Sequence, residues 1–126
     1  MRTVLAFMAV IVVWALVSLW VSPAQAATLR YVNDFTVSYS GKVEDEDQTR
    51  LINYMKQYPN TTIIYMDSEG GHAIGGYKLG YAIKHYELRA VVKSDAKCLS
   101  ACATAFLGSP DKFINGVLGY HVTWTG

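Results

Sequence analysis

The sequence predicts an α/β domain, a parallel sheet with crossover helices, behind an N-terminal apolar segment. Two observations carry this. From Leu29 onward, strand-like and helix-like segments alternate, and that alternation calls for right-handed crossovers and a parallel sheet covered by helices. Thr61 to Asp67 is a short, nearly continuous β-prone run, the pattern of a buried parallel strand, and it ends at the glycine turn Ser68-Glu69-Gly70-Gly71.

The first segment sets the compartment. Arg2 precedes an apolar run from Val4 to Val21 broken only by Ser18, and Pro23-Ala24-Gln25-Ala26-Ala27 follows. A basic residue, a hydrophobic stretch and a small-x-small exit describe a bacterial secretory signal cut after Ala26. The run also approaches the length that spans a bilayer. Residues 1–26 therefore read as a signal peptide or as a signal anchor that keeps residues 4–21 in the inner membrane. Both place residues 27–126 outside the cytoplasm, in the bacterial periplasm or on the periplasmic face of the inner membrane. Those residues make one domain of about 100 residues.

The apolar fraction of 52% is raised by the leading segment, but with nine Tyr in the sequence the remainder is apolar enough to fold. A net charge of +1 with scattered Lys and Arg argues against nucleic acid as a partner.

The elements follow in order. Leu29 to Ser40, with Phe35, Val37 and Tyr39 alternating, reads as one strand or a hairpin arm, and Gly41-Lys42 turns the chain. Glu44-Asp45-Glu46-Asp47 opens a helix, where acids sit well against the positive end of the macrodipole; a solvated helix start explains the run better than a metal site. Leu51, Ile52, Met55 and Tyr58 share a face of that helix, which stops at Pro59-Asn60. After the glycine turn, a helix runs from about Ala73 to Tyr86. Ile74, Tyr77 and Tyr81 share one face of it, and Gly76 and Gly80 leave a smooth patch to lie close on the sheet. Leu88–Lys93 is the next strand, residues 94–97 a loop, Ser100–Leu107 a small-residue helix, Pro110-Asp111 a turn and Val117–Thr123 the last strand.

In such a sheet ligands gather at the carboxyl ends of the strands, where both the glycine turn and Ser100 fall. Gly70 and Gly71 can turn N–H groups outward at a helix N-terminus, or simply make a tight turn. The turn is neither a phosphate loop nor a dinucleotide fingerprint. Ser100 reads as a helix cap or as a nucleophile, with the Ala101 N–H as an oxyanion donor beside it. His121 could take its proton; His72 beside the glycine turn and His85 on an exposed helix are weaker candidates. Cys98 and Cys102, the two cysteines, can bridge if both lie on a helix and are too far apart if Cys98 still belongs to a strand. No second Cys or His pair stands at zinc-ligand spacing.

Taken together, Ser68-Glu69-Gly70-Gly71 with Ala-Ile-Gly-Gly-Tyr, Cys98-Leu-Ser100-Ala-Cys102-Ala, and Gly119-Tyr-His121 resemble the Clp-protease proteolytic subunit and its crotonase-fold relatives. The likeness is greatest to exported Clp-like proteins of bacteria and covers roughly residues 30–124. It implies a Clp/crotonase-like domain with Ser100 as nucleophile and His121 as base. Gly70, Gly71 and Ala101 would form the oxyanion hole, without cofactor or metal. It also implies a peptide or protein substrate and homo-oligomeric assembly.

Two departures qualify it. Glu69 stands where the family commonly has proline. The family's third catalytic member, an acid, lies well beyond the histidine, and no residue here matches it; the domain reads as C-terminally shortened. A triad without its acid is slower by orders of magnitude, and nothing in the spacing supports Asp67 or Asp111 as a substitute. The sequence thus leaves three readings: an exported serine hydrolase, a non-catalytic envelope protein binding an extended peptide, or a fragment whose full-length form is active. Acyl-CoA chemistry fits an exported domain poorly.

Overall fold

A computed structural model describes residues 25–120. The leading segment (residues 1–24), His121 and the rest of the last predicted strand lie outside the described residues. Strands β1 (Thr28–Asn33) and β2 (Thr36–Ser40) form an antiparallel hairpin, settling residues 29–40 as two strands. Helix α1 (Asp47–Gln57) crosses to β3 (Ile63–Asp67), and α2 (Ala73–His85) crosses to β4 (Arg89–Val92). Then come β5 (Lys97–Leu99), α3 (Ala101–Phe106), β6 (Asp111–Ile114) and β7 (Val117–Gly119). The main sheet has the order β1-β2-β3-β4-β6, parallel from β2 onward; β5 and β7 pair in parallel as a second, two-stranded sheet.

Burial follows the pleat. Val37, Tyr39, Ile64, Met66, Ala90 and Val92 are fully buried, while Ile63, Tyr65 and Val91 between them are half-buried. The continuous apolar run of β3 thus has one face in the core, where a strand buried on both was expected.

The core also explains α3. Its Ala101, Cys102, Ala103, Ala105 and Phe106 are all buried, and α2 packs closely on it. A Cβ at Gly76 would stand 2.5 Å from the Ala101 carbonyl oxygen, and one at Gly80 3.3 Å from the Ala105 Cα. The smooth patch of α2 therefore lies on a helix, not on the sheet, and only small residues let the two backbones approach so far. Ile74, Tyr77 and Tyr81, on the apolar face read from the sequence, are exposed instead.

Three further expectations need correction. Helix α1 begins at Asp47, because Lys42 and Val43 are held in bridges to Ala26 and Gly71. Asp47 itself is no solvated acid. It is 1% exposed, accepts the Tyr39 hydroxyl at 2.6 Å and the Glu44 N–H at 2.9 Å, and pairs with Arg50 at 3.1 Å. Residues Asp111–Ile114, read as a turn and its sequel, form β6, stitched to β4 by the buried Ser109 hydroxyl, which accepts the Ala90 N–H and donates to the Leu88 carbonyl. Among the described residues no helix is long and apolar enough to cross a membrane.

Candidate active site

The glycine turn and the serine come together where β3 and β5 end. Ser68 and Cys98 form a parallel bridge, with the Ser68 N–H on the Lys97 carbonyl at 2.7 Å and the Leu99 N–H on the Ser68 carbonyl at 3.0 Å. One residue further along β5, Ser100 takes φ 54° and ψ −119° and throws the chain directly into α3. A left-handed backbone costs a serine of order 1–3 kcal/mol and persists where the surroundings over-determine it. Such a strand-to-helix elbow lifts a side chain out of the sheet. By position Ser100 is the N-cap of α3, yet its side chain makes no capping hydrogen bond.

Gly70 closes on this elbow. It has φ +106°, and a Cβ there would lie 2.8 Å from the Ser100 Cβ and 3.4 Å from the Ala101 N. Its N–H is engaged with the Ser68 hydroxyl at 3.1 Å, a local turn that the Ser-x-Gly spacing could have signalled. Gly71 is held differently. The Val43 N–H bonds the Gly70 carbonyl and the His72 N–H bonds the Val43 carbonyl, both at 2.9 Å. In that parallel pattern the Gly71 N–H faces away from Val43. Among the described residues, neither the Gly71 nor the Ala101 N–H has a hydrogen-bond acceptor. Of the three sequence-predicted donors, Gly70 is occupied, and Gly71 and Ala101 have no acceptor among the described residues.

Cys98 and Cys102 are bonded to each other, Cα to Cα 5.1 Å, although Cys98 lies in β5. The expectation that a strand residue would be out of reach fails because the turn at Ser100 folds β5 and α3 back on each other. His121 lies outside the described residues. The chain approaches it along β7, whose Gly119 carbonyl accepts the Ser100 N–H at 2.8 Å. His72 is exposed, its Nδ1 3.6 Å from an Asp45 carboxylate oxygen. His85 is an exposed residue at the end of α2. Asp67 accepts the Lys97 N–H at 3.2 Å.

An open cleft of about 580 Å³ runs along the glycine turn, lined by Gly70, Gly71, Glu69, Lys97 and Lys42 among others; the half-buried Ser100 is not part of its lining. At its rim Glu69 and Lys97 form an ion pair that ties the turn to β5. The hydrogen bond from Lys97 holds the Glu69 carboxyl below its usual range, and Glu69 in turn raises the Lys97 ammonium. The pair therefore contributes between those two titrations. Its contribution fades as pH falls through the lowered Glu69 value and as pH rises through the raised Lys97 value. Because both groups are exposed, the effect is small and screened by salt. Glu69→Gln is expected to lower the thermal midpoint slightly at neutral pH, with the difference from wild type vanishing in acid or high salt. A difference that persisted in acid would contradict this ion pair.

No family profile and no curated protein matches the sequence. Solved structures do match. An enoyl-CoA hydratase from Bacillus anthracis superposes with a TM-score of 0.52 at 9% identity, over 76% of this chain and 50% of that one. The fold is crotonase-like. An enoyl-CoA hydratase from Mycobacterium avium subsp. paratuberculosis gives 0.51 at 11% identity, over 77% and 50%. A membrane-bound stomatin-specific protease gives 0.49 at 16% identity, over 75% and 45%, a score too low to argue from. The chain spans about half the length of the crotonase-like structures it matches. At these identities the likeness concerns the fold alone.

Proposed function

We propose that this crotonase-like domain is an exported, Clp-like serine hydrolase, a peptidase that forms an acyl-enzyme at Ser100. The observation that carries the reading is Ser100 itself, held at φ 54° on a strand-to-helix elbow with its hydroxyl uncommitted to the helix cap. Backbone strain in a polar residue at the carboxyl ends of parallel strands supports reading it as a site.

In the proposed reaction the Ser100 Oγ attacks a carbonyl carbon while His121 takes its proton. The oxygen of the tetrahedral intermediate gains its negative charge against the N–H groups of Gly71 and Ala101. Collapse breaks the bond to the leaving amine, which receives the proton from His121, and water then hydrolyses the ester on Ser100 by the same steps. No carboxylate is assigned to orient His121, and without one turnover slows by orders of magnitude. Acylation is therefore a sharper test than turnover.

With p-nitrophenyl acetate the protein is expected to release a burst of nitrophenol matching the amount of enzyme. Ser100→Ala should abolish the burst, and His121→Ala should slow it by about 10²-fold or more. A burst unchanged in Ser100→Ala would refute the nucleophile. Residues 1–26 are proposed as the export signal or inner-membrane anchor, and the intact mass of the protein recovered from a bacterial periplasm reads whether it starts at Ala27.

A second reading, a non-catalytic peptide-binding module, is favoured by one observation. Among the described residues β6 ends the main sheet and exposes all four of its residues, including Phe113 and Ile114, a place where a peptide strand would add. It predicts peptide binding without any burst.

A further inference from the structure

The two cysteines of the sequence bracket Ser100, Cys98 two residues before it and Cys102 two residues after, and they are joined to each other. The bridge spans the residue at φ 54° and ties the end of β5 to the start of α3. Both cysteines are fully buried, so the bond is part of the packed wall behind the elbow.

An unfavourable backbone conformation needs partners that leave no alternative. On the strand side these are the Leu99 N–H bond to Ser68 at 3.0 Å and the Ser100 N–H bond to Gly119 at 2.8 Å. On the helix side Ala101 packs under Gly76. Each of these holds one arm of the elbow to a different element. The disulfide alone is a covalent tie between the two arms.

We propose that the Cys98–Cys102 disulfide is a positioning element for the site, setting the Ser100 hydroxyl and the Ala101 N–H in one geometry, so that its reduction lowers the reactivity of Ser100 while the domain stays folded. The inference rests on the reading of Ser100 as a nucleophile. Reduction by a dithiol proceeds by thiolate attack on one sulfur and closure of the dithiol's own disulfide. Two electrons and two protons pass to the protein, which is left with two thiols. Because the bond is buried, the reductant reaches it through local opening.

The test measures the rate at which a fluorophosphonate labels Ser100, by mass spectrometry. The samples are the oxidised protein, the protein reduced with dithiothreitol, the same protein reoxidised, and Cys98→Ala/Cys102→Ala, with circular dichroism recorded for each. The reduced protein and the double variant are expected to stay folded and to label about tenfold or more slowly. Reoxidation should restore the rate of the reduced wild type and leave the double variant slow. Ser109→Ala, which loosens β4 from β6 and leaves the elbow alone, should lower the thermal midpoint without slowing labelling. Equal rates in the oxidised protein and the folded double variant overturn the inference and leave the nucleophile standing. Loss of fold in both reduced forms also overturns it, since the bridge would then serve stability alone. No labelling of the oxidised protein overturns the hydrolase reading itself.

Discussion

Gly70→Ala is expected to abolish labelling of Ser100 and to lower stability by about 2–4 kcal/mol. Two costs add at this position. The backbone is at φ +106°, where an alanine is strained in any surroundings. The new Cβ would also meet the Ser100 Cβ at 2.8 Å and the Leu99 carbonyl oxygen at 2.9 Å. Neither atom is the end of a flexible side chain that could swing aside, so the glycine turn or the elbow must move. Movement of either changes the place of the serine against the glycine turn. Urea denaturation and fluorophosphonate labelling read the two effects independently. A variant as stable and as reactive as the wild type would mean that the turn and the elbow do not meet as described.

Asp47→Ala is expected to cost about 3 kcal/mol, a large stability effect for a polar side chain away from the elbow. Asp47 is 1% exposed and accepts from three groups: the Tyr39 hydroxyl of β2, the Glu44 N–H before α1 and the Arg50 guanidinium within it. Burial, then the hydrogen bond to Asp47, pushes the Tyr39 phenol far up, so it remains a neutral donor throughout the working range. Removing the carboxylate leaves that hydroxyl buried without its acceptor. Arg50 is partly exposed and can turn to water, which keeps the loss below that of a fully buried ion pair. Asp47→Asn keeps an acceptor for Tyr39 and should lose roughly half as much. Thermal or urea unfolding checks both, and an Asp47→Ala variant within about 0.5 kcal/mol of wild type would contradict the network.

Much of this architecture is legible in the sequence because its signals are local. The β-branched run before Asp67, the glycines after it and the alanines after Ser100 each specify their own element. The failures share a cause, the dependence of an element on partners distant in sequence. Lys97–Leu99 is a strand because Ser68 and β7 offer it hydrogen bonds, and three residues carry too little pattern to show it. β6 hides behind Pro110 and owes its place to Ser109 and β4. Asp47 looks like its acidic neighbours until Tyr39, eight residues upstream, folds over it. The glycines of α2 announce a close approach without naming the partner, which is α3, while Leu79 and Ile83 supply the apolar core side of that helix and Ile74, Tyr77 and Tyr81 stay exposed.

The site divides in the same way. That Ser100 stands beside Gly70 follows from the Ser68–Cys98 bridge between the two sheets, and the motif order pointed to it. That Ser100 adopts a left-handed backbone and that Cys98 reaches Cys102 from a strand are consequences of packing at the elbow, and no local pattern encodes them, whereas the Gly70 N–H bond to Ser68 is a local turn that the Ser-x-Gly spacing carries.

Ser100 is proposed here as an activated nucleophile. The most direct measurement treats the purified protein and its Ser100→Ala variant with a serine-reactive fluorophosphonate and locates any adduct by peptide mass spectrometry. One adduct is expected, on Ser100, absent from the variant and from heat-unfolded protein. Folded protein that takes up no label, or takes it up equally in the variant, would contradict it.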